Sequence, residues 1–389
     1  MTFQQLTEEE FIAHTKRTQQ LSFMQTPEMA QLLQKRGAKV EYIGYTDDEG
    51  IIQVSALLYS LPMAGGLHME INSGPICTDQ TYLQAFYKAL QDYAKEKGAL
   101  ELLIKPYSIY QTFDSTGNPT SQEQTEMITT LTDIGYQFDG LQTGYPEGEP
   151  SWHYIKNLTN HNSDTLLSSF NKNSQRNIKK AKQLGISIRS VKREELDTFT
   201  QLIQETGKRQ GFSSKDTQYY HHFFDSFQDK AAFKIAEIHF IKAINQLQIA
   251  YNTASSKNEK ASIEKAIALL EPFAERYGET TVPLAGALMI YLPTEVTYLF
   301  GGSNPTFQKL GAPFLLQYET MIQAIEADIA TYNFLGITGI FDGSDGVLRF
   351  KQNFNGHINR HMGIFRYYPS PLKYKIVQTT KQVLARFRK

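Results

Sequence analysis

The order of strands and helices that the sequence predicts occurs twice along the chain. In each half, two strands lead through a turn containing Leu-Pro to a third strand that ends near a proline, and a helix and an apolar strand follow. The first copy has strands near 40–45 and 51–60, a turn at 61–66, a strand ending at Pro75, a helix over 79–97 and a strand at 100–104. The second has strands near 233–240 and 284–292, a turn at 292–293, a strand ending at Pro305, a helix near 312–328 and a strand at 332–335. The Leu-Pro pairs lie 231 residues apart (292 minus 61), which favours two copies of one α/β unit.

The second copy contains a segment, 241–278, that the first copy lacks. Its apolar residues recur at helical spacing, as in Ile263, Ile267, Leu270, Ala274 and Tyr277. Because the segment interrupts a series of strands, we predict an antiparallel helical hairpin inserted in the second unit. An ordinary packed pair of helices is the alternative that the sequence leaves open.

Composition excludes several classes of protein. A chain of 389 residues favours two or three domains, and its net charge of -1 excludes a uniformly basic nucleic-acid binder but not a local basic patch. The one cysteine, Cys77, excludes a disulfide framework and a cysteine-based zinc cage, and it fits a reducing, cytoplasmic setting. No stretch approaches the roughly 18 to 20 apolar residues of a membrane span. The histidines show no metal-ligand spacing, so we predict no metal site.

The segment 332–355 predicts a ligand site. It is typical of a buried strand, a glycine-rich loop and a short element that carries one cation, Lys351, between Phe350 and Phe354. Glycines clustered after an apolar strand favour a place where backbone approaches a ligand closely. Two aspartates of the loop, Asp342 and Asp345, are candidates for a general base, but capping of loop amides is the favoured role.

Two stretches of the chain carry basic residues and no acid. Residues 171–182 place Lys172, Arg176, Lys179 and Lys180 on neighbouring helix faces, which favours binding to a polyanion over a merely solvated face. The C-terminal stretch 373–389 predicts a basic amphipathic helix that would contact anionic lipid or nucleic acid through cations that include Lys373, Arg386 and Arg388. A solubilising tail is the alternative for that stretch.

Two shorter patterns are weaker. Lys215 and Tyr219 lie four apart and would share a helix face, where a cation and a phenol can grip a phosphate or carboxylate. Ordinary surface and core roles are the favoured alternative. The turn 308–312 contains Gly311 before a helix, as in proteins that hold a pyrophosphate at a helix N-terminus, although a plain helix-entry turn is favoured.

Motifs along nearly the whole chain resemble those of the FemABX family of peptidyltransferases, which use aminoacyl-tRNA to build the interpeptide bridge of bacterial peptidoglycan. The matching segments are Phe23-Met-Gln-Thr26, Leu61-Pro62, Ser73-Gly-Pro75, Ile104-Lys-Pro-Tyr107, Arg176-Asn-Ile-Lys-Lys-Ala-Lys182, Tyr298-Leu-Phe-Gly-Gly-Ser303 and Arg349-Phe-Lys-Gln-Asn-Phe-Asn355. Within the family, the chain is most similar to the streptococcal branching enzymes that add alanine.

The resemblance implies a fold and a domain organisation. The fold would be α/β (α+β), with tandem acetyltransferase-like (GNAT) domains. Residues 1–148, with about 363–389, would form the first domain and 149–362 the second, and the hairpin 241–278 would be a short form of the family's coiled-coil arm.

The resemblance also implies partners and site residues. Partners would be aminoacyl-tRNA, specifically alanyl-tRNA, and lipid II or a muropeptide precursor, with peripheral contact to an anionic membrane and no cofactor. Lys351 would be catalytic, substrate-binding residues would be Lys215, Tyr219, Tyr107 and Tyr298, and tRNA-binding residues would be Lys172, Arg176, Lys179, Lys180 and Phe350. A coenzyme-A-dependent N-acetyltransferase and a non-catalytic RNA-binding protein are the competing interpretations.

Overall fold

The computed structural model describes residues 1–18, 21–210 and 214–387 of the chain. Its helices are α1 (Glu8–Thr15), α2 (Pro27–Lys35), α3 (Leu83–Glu96), α4 (Glu126–Asp133), α5 (Ser163–Leu166), α6 (Lys172–Gln183), α7 (Leu196–Gln210), α8 (Thr217–Phe227), α9 (Phe240–Thr253), α10 (Lys257–Tyr277), α11 (Ala312–Glu326), α12 (Gly346–Gln352) and α13 (Pro371–Phe387).

Its strands are β1 (Thr2–Leu6), β2 (Lys39–Thr46), β3 (Ile52–Met63), β4 (Gly66–Asn72), β5 (Ile76–Cys77), β6 (Ala99–Lys105), β7 (Ile109–Phe113), β8 (Gln137–Phe138), β9 (Trp152–Asn157), β10 (Ser187–Ser190), β11 (Ala231–His239), β12 (Thr281–Tyr291), β13 (Glu295–Ser303), β14 (Thr331–Ile337), β15 (His357–His361) and β16 (Phe365–Tyr367).

The chain divides into two compact units. Unit 1 comprises Met1–Tyr154, Gly336–Asp345 and His357–Lys389, and unit 2 comprises Ile155–Leu335 and Gly346–Gly356. Both units combine a mostly antiparallel sheet with helices, so the predicted α/β (α+β) class is confirmed. The domain boundaries drawn from the sequence stay a prediction.

Unit 1 contains a sheet with the strand order β1-β2-β3-β4-β6-β16-β8. Neighbours are antiparallel except β4 and β6, which are parallel because α3 forms the crossover between them. The amphipathic helix α3 buries Phe86, Tyr87 and Leu90 in one core cluster with Leu102 and Ile104 of β6. The C-terminal segment supplies β16, which pairs with β6 on one side and β8 on the other. Strand β15 of the same segment pairs with β7.

Unit 2 repeats this arrangement. Strands β10 to β13 are successive antiparallel neighbours, and β14 returns parallel to β13 after the crossover helix α11. The helix buries Leu315, Leu316 and Met321. Three antiparallel strands, a helix and a parallel strand thus occur in each unit, as the repeated order in the sequence predicts.

The predicted helical hairpin is confirmed, and it consists of α9 and α10. It joins β11 to β12, which are neighbours in the sheet, so it is an insertion between paired strands. Ser256 opens the second helix, since its hydroxyl accepts a hydrogen bond from the Glu259 amide at 3.1 Å. At the base of the hairpin, the ring of Phe240 packs on Phe273 and on Phe307, with centroids 5.2 and 5.9 Å apart. The base is therefore anchored by aromatic packing.

The two Leu-Pro pairs do not occupy equivalent positions, contrary to the sequence prediction. Leu61 and Pro62 continue β3, where Pro62 is paired with Leu67 of β4. The pairing of β3 with β2 ends at Ser60. Pro62 therefore has no partner on β2, and its lack of a backbone N–H costs no hydrogen bond to that strand. Leu292-Pro293 lies in the turn between β12 and β13, as predicted.

Candidate functional site

Lys351 lies on α12, close to a cluster of phenylalanine rings in unit 2. Its side chain is only 3 % exposed, and its carbonyl accepts a hydrogen bond from the Phe354 amide at 3.0 Å. The ring of Phe350 packs on Phe314 with centroids 5.1 Å apart, and Phe354 contacts Phe170 at the same separation. The aromatic residues on either side of Lys351 thus fix the helix in the core.

A small group of asparagines joins α12 to the basic helix α6. Asn171, the N-cap of α6, donates from its side chain to the Asn353 side-chain oxygen at 3.0 Å, and Asn173 donates to the same oxygen at 2.9 Å. The Asn353 amide group donates in turn to the Arg349 carbonyl of α12 at 2.7 Å. Residues predicted to bind tRNA and the predicted catalytic lysine therefore lie on directly connected elements.

The cations of α6 fall into two groups. Lys172, Arg176 and Lys179 are exposed. Lys180 donates to the Lys309 carbonyl at 2.7 Å, and Lys182 pairs with Glu319 of α11 at 2.9 Å. A bound polyanion is therefore needed to offset the repulsion among the three exposed cations only, because other elements of unit 2 stabilise Lys180 and Lys182.

Gly311 has a structural role at the start of α11. Its φ is 82°, and a Cβ there would lie 2.7 Å from the Asn177 carbonyl oxygen of α6. The glycine allows the turn to approach α6, so this turn is the helix-entry turn that the sequence favoured.

Sequence analysis did not identify a buried lysine, Lys156, that contacts the chain just beyond α12. It donates to the Asn355 carbonyl at 3.2 Å, and the Asn355 side chain donates to the Ser169 carbonyl at 2.9 Å. Burial lowers the pKa of Lys156 to about 8. The two bonds hold Asn355, three residues beyond the end of α12, at a positive φ of 51°.

Two glycines of the segment 332–355 lie close to protein side chains, and the ligand contact predicted for the segment stays a prediction. A Cβ at Gly336 would lie 2.5 Å from Cγ of Pro150, and one at Gly339 would lie 2.5 Å from Cε2 of Trp152. Asp345 accepts hydrogen bonds from the Thr338 amide at 3.0 Å and its hydroxyl at 2.8 Å. Asp342 likewise accepts from the Ser344 amide at 2.9 Å. Both aspartates therefore cap the loop.

Lys215 and Tyr219 meet, although not along one helix face. Helix α8 begins at Thr217 after its N-cap Asp216, so Lys215 precedes the helix. The Lys215 ammonium nevertheless lies 5.5 Å from the centre of the Tyr219 ring. A contact between a cation and a ring here is compatible with the predicted grip on an anion.

Tyr298 lies on β13, packed over Gly301. A Cβ at Gly301 would come within 2.6 Å of Tyr298 Cε2, so the ring position requires glycine. Burial raises the pKa of the Tyr298 phenol to about 12, which keeps it a neutral hydrogen-bonding group.

A pocket in unit 1 contains Tyr107, the fourth residue predicted to bind substrate. The cavity measures about 50 Å³, and its polar lining includes Asn72, Ser73, Lys105, Tyr107, Glu149, Ser151, His153 and His361. The Tyr107 ring stacks on His361 with centroids 4.8 Å apart. Sequence analysis did not identify the two histidines, which lie far apart in the chain and lack metal-ligand spacing.

Charged residues connect this pocket to the sheet of unit 1. The Lys105 ammonium lies 3.0 Å from carboxylate oxygens of both Glu70 and Glu149. Burial opposes ionisation of Glu70, but hydrogen bonds from His68 and the charge of Lys105 lower its pKa to about 2. Similarly, burial opposes the charged form of His68, while hydrogen bonds to Glu101 and Glu70 raise its pKa to about 9. Glu70 and His68 are therefore both charged at neutral pH, and the Lys105 ammonium lies between the carboxylates of Glu70 and Glu149.

The predicted basic C-terminal helix is α13, and Lys373 on it is exposed. Arg388 and the side chain of Arg386 lie outside the described residues. The helix also exposes Leu372 (77 %) and Ile376 (66 %), one turn apart. Of the helices that the described residues form, none is both long and apolar enough to cross a bilayer.

Within residues 1–18, 21–210 and 214–387, no three His, Cys, Asp or Glu side chains are placed so that they could hold a metal ion.

The fold and the motifs match known proteins. The fold is similar to that described as the crystal structure of FemX, with a TM-score of 0.77 and 22 % identity over 97 % of this chain and 100 % of that one. A tandem GNAT protein from the clavulanic acid biosynthesis pathway aligns with a TM-score of 0.53 and 9 % identity, covering 95 % of this chain and 99 % of that one. These likenesses confirm the predicted tandem acetyltransferase-like fold.

Sequence relatives agree. The chain is 25 % identical to the aminoacyltransferase FemB of Staphylococcus epidermidis, with 100 % of both chains covered. It is also 25 % identical to the aminoacyltransferase FemA of the same species, over 98 % of this chain and 100 % of that one. The prediction of an aminoacyltransferase is confirmed at this level. A family model described as the FemAB family matches residues 6–261 and 252–382. The chain therefore belongs to the FemAB family.

Proposed function

We propose that the protein transfers an amino acid from aminoacyl-tRNA to the branched stem peptide of lipid II in peptidoglycan synthesis, with L-alanine as the second bridge residue. One observation carries the proposal. In a member of the FemAB family, the exposed cations Lys172, Arg176 and Lys179 lie on a helix that hydrogen-bonds, through Asn353, to the helix of Lys351. A polyanion held on the first helix would place its end near the second.

Catalysis of this reaction requires orientation of the two substrates and stabilisation of the oxyanion more than activation of the ester. The acceptor amine attacks the ester carbonyl of the aminoacyl-tRNA, the C–N bond forms, the C–O bond breaks, and the ribose oxygen leaves as a hydroxyl. Because the ester is already reactive, alignment of the two substrates and stabilisation of the tetrahedral oxyanion supply most of the acceleration, and no cofactor is required. We assign the positive charge at the oxyanion or the tRNA phosphate to Lys351.

The remaining predicted residues would bind the two substrates. Lys180 and Phe350 would support tRNA binding, Phe350 through its packing against Phe314. Lys215 and Tyr219 would hold an anionic group of the precursor, and Tyr107 and Tyr298 would contact the same substrate.

The acceptor lies in a membrane, which gives α13 a role. Its exposed Leu372 and Ile376, with Lys373 beside them, would rest on anionic headgroups. The protein would then work in the cytoplasm, at the inner face of the plasma membrane.

The test is incubation of the protein with lipid II whose stem lysine carries no bridge residue or one, together with alanyl-tRNA or seryl-tRNA, and mass analysis of the product. We expect alanine transfer to the singly substituted acceptor. Transfer of serine, or to the unsubstituted acceptor, would correct the donor or the position. Acetylation from acetyl-coenzyme A, or tRNA binding without product, would replace the proposal with one of the two competing interpretations.

Lys351→Met tests the catalytic assignment. We expect the turnover rate to fall by 100-fold or more at saturating substrates, on the order of the 3 to 4 kcal/mol that one preorganised oxyanion group supplies. Lys88→Met, which replaces an exposed lysine of α3, is the matched control. Near-normal transfer by Lys351→Met would end the assignment.

A further inference from the structure

The two histidines of the unit-1 pocket form a directed hydrogen-bond chain. Nδ1 of His361 lies 3.1 Å from the Tyr107 carbonyl oxygen, and Nε2 of His361 lies 3.2 Å from Nδ1 of His153. The rings meet edge to face, with centroids 4.4 Å apart. Both histidines line the cavity, and His361 is further fixed by its backbone amide, which donates to the Ser151 carbonyl at 2.8 Å.

The partners determine where each proton lies. A carbonyl oxygen can only accept, so Nδ1 of His361 must carry a hydrogen. Burial lowers the pKa of His361 to about 4, so this ring is neutral at physiological pH and its Nε2 is an acceptor. Nδ1 of His153 must therefore donate to it. In a neutral His153 the lone pair is then confined to Nε2, in the tautomer that general bases use when a second group holds Nδ1–H.

The surroundings of the pair suit a primary amine. The charged side chains that line the pocket are Lys105 and Glu149, which pair with each other. Glu70 also pairs with Lys105, and on its other side it pairs with His68. Asn72 donates to Glu149 at 2.8 Å, which fixes the carboxylate at the rim. A cavity of about 50 Å³ holds a group the size of an ammonium with room to spare. The Glu149 carboxylate lines the pocket and can pair with a bound ammonium, which favours an amine as the ligand.

We propose that this pocket receives the amine of the acceptor and that His153 is the general base that deprotonates it, with His361 as a positioning residue that sets the tautomer of His153. The inference rests on the proposed function and names its missing base. An acceptor ammonium has three hydrogens and the product amide keeps one. His153 Nε2 takes one proton and later releases it to water, while the other accompanies the departing ribose oxygen as its hydroxyl hydrogen.

Kinetics of three variants test the roles. His153→Asn keeps an amide donor for His361 but no base, and we expect kcat to fall by about 100-fold or more while the KM for the acceptor changes little. His361→Leu removes the acceptor for His153 Nδ1 and should lower kcat by about tenfold, and His361→Gln, which can accept there, should recover most of that loss. His161→Asn, in a turn of unit 2, is the matched control. An unchanged kcat for His153→Asn overturns the proposal.

Nuclear magnetic resonance separates this inference from the proposed function. In long-range ¹H–¹⁵N spectra of the full chain, we expect the proton on Nδ1 of both histidines. Addition of a UDP-linked muramoyl pentapeptide whose lysine carries one alanine with a free amine should shift the His153 signals, and the same compound acetylated on that amine should not. A proton on Nε2 of His153, or equal shifts with both compounds, overturns the assignment. If the shifts are selective but no tRNA donor supports transfer, the proposed function fails and the amine site stands.

Discussion

At the scale of single residues, Gly301 determines where Tyr298 can lie. Gly301→Ala would place a Cβ inside the space of the tyrosine ring, 2.6 Å from Cε2, and backbone strain does not contribute because φ at this position is not positive. We expect the free energy of unfolding to fall by about 1 to 3 kcal/mol as the ring is displaced. Chemical denaturation measures this. Gly346→Ala, where the nearest atom to a new Cβ is 3.6 Å away, serves as the control, and equal losses for the two variants would contradict the steric argument.

The buried ammonium of Lys234 should make the free energy of unfolding depend on pH. The ammonium is buried in unit 2, where it donates to the Tyr291 hydroxyl at 2.7 Å and to the Thr320 hydroxyl at 3.3 Å, and it also contacts Gln323. Burial lowers its pKa from the usual 10.5 to about 8, although the charge of Glu319 opposes the shift. Between these two values the unfolded chain binds more protons than the folded one, so the Lys234 contribution makes stability rise with pH. Below pH 8 both states are protonated and the penalty is constant.

Lys234→Met isolates this contribution. The wild type should gain roughly 2 to 3 kcal/mol from Lys234 between pH 8 and 10.5, and the variant should lose that part of the slope. Urea denaturation at several pH values measures both proteins. Loss of the lysine also leaves polar partners unpaired, so the comparison concerns the slope and not the absolute stability. Identical slopes in the two proteins would mean that Lys234 titrates normally.

At the scale of elements, the exposed cations of the basic helix α6 should make the affinity for aminoacyl-tRNA depend on salt concentration. Replacing Lys172, Arg176 and Lys179 together by glutamine should weaken binding of aminoacyl-tRNA and reduce the slope of log affinity against log salt by about 2 to 3, because each phosphate contact contributes about 0.7 to 0.9. Binding measured at several salt concentrations gives the slope. Lys182→Gln is the control, since that lysine already pairs with Glu319. If the triple variant keeps the wild-type slope, α6 is a solvated face.

Some helices, strands and contacts could be predicted from the sequence, and others could not. Strand and helix order was predictable because periodicity is local: α11 and β14 follow β13 in the structure as their patterns indicated. The Leu61-Pro62 turn was wrong because pairing with β4 extends β3 beyond the proline. His153 and His361 could not be predicted to meet, since they are 208 residues apart and their contact depends on tertiary pairing. Lys156 stands in a strand with no distinguishing motif around it.

At the scale of the whole molecule, the chain passes between the two units four times, after Tyr154, Leu335, Asp345 and Gly356. The segment 332–355, which the sequence suggested as one site, is therefore divided. Its glycine loop belongs to unit 1, whereas Lys351 belongs to unit 2. Residues that are neighbours in the sequence therefore pack in different units. Gly336 and Gly339 lie against Pro150 and Trp152 of unit 1, whereas Lys351 lies on α12 of unit 2, which Asn353 connects to α6.

The proposed contact with a membrane also concerns the whole molecule, because it would determine where the protein works. One side of α13 packs on unit 1, where Val377 closely approaches Gly65, and another exposes Leu372, Ile376 and Val383, with exposed Lys373, Lys375 and Lys381 on the same helix. Replacing Leu372 and Ile376 by serine should weaken binding to vesicles that contain phosphatidylglycerol by at least tenfold, because burial of each side chain is worth about 1.5 to 3 kcal/mol.

Vesicle sedimentation at low and high salt measures this binding. The wild type should bind anionic vesicles but not neutral ones, because its exposed lysines are attracted to anionic headgroups. Binding should weaken as the salt concentration rises, because salt screens this attraction. Ile249→Ser, an equally exposed isoleucine on the hairpin, is the matched control and should bind as the wild type does. Deletion of residues 373–389 should abolish binding. If the deletion leaves vesicle binding unchanged, α13 is not the contact surface, and lipid II must be reached through another part of the molecule.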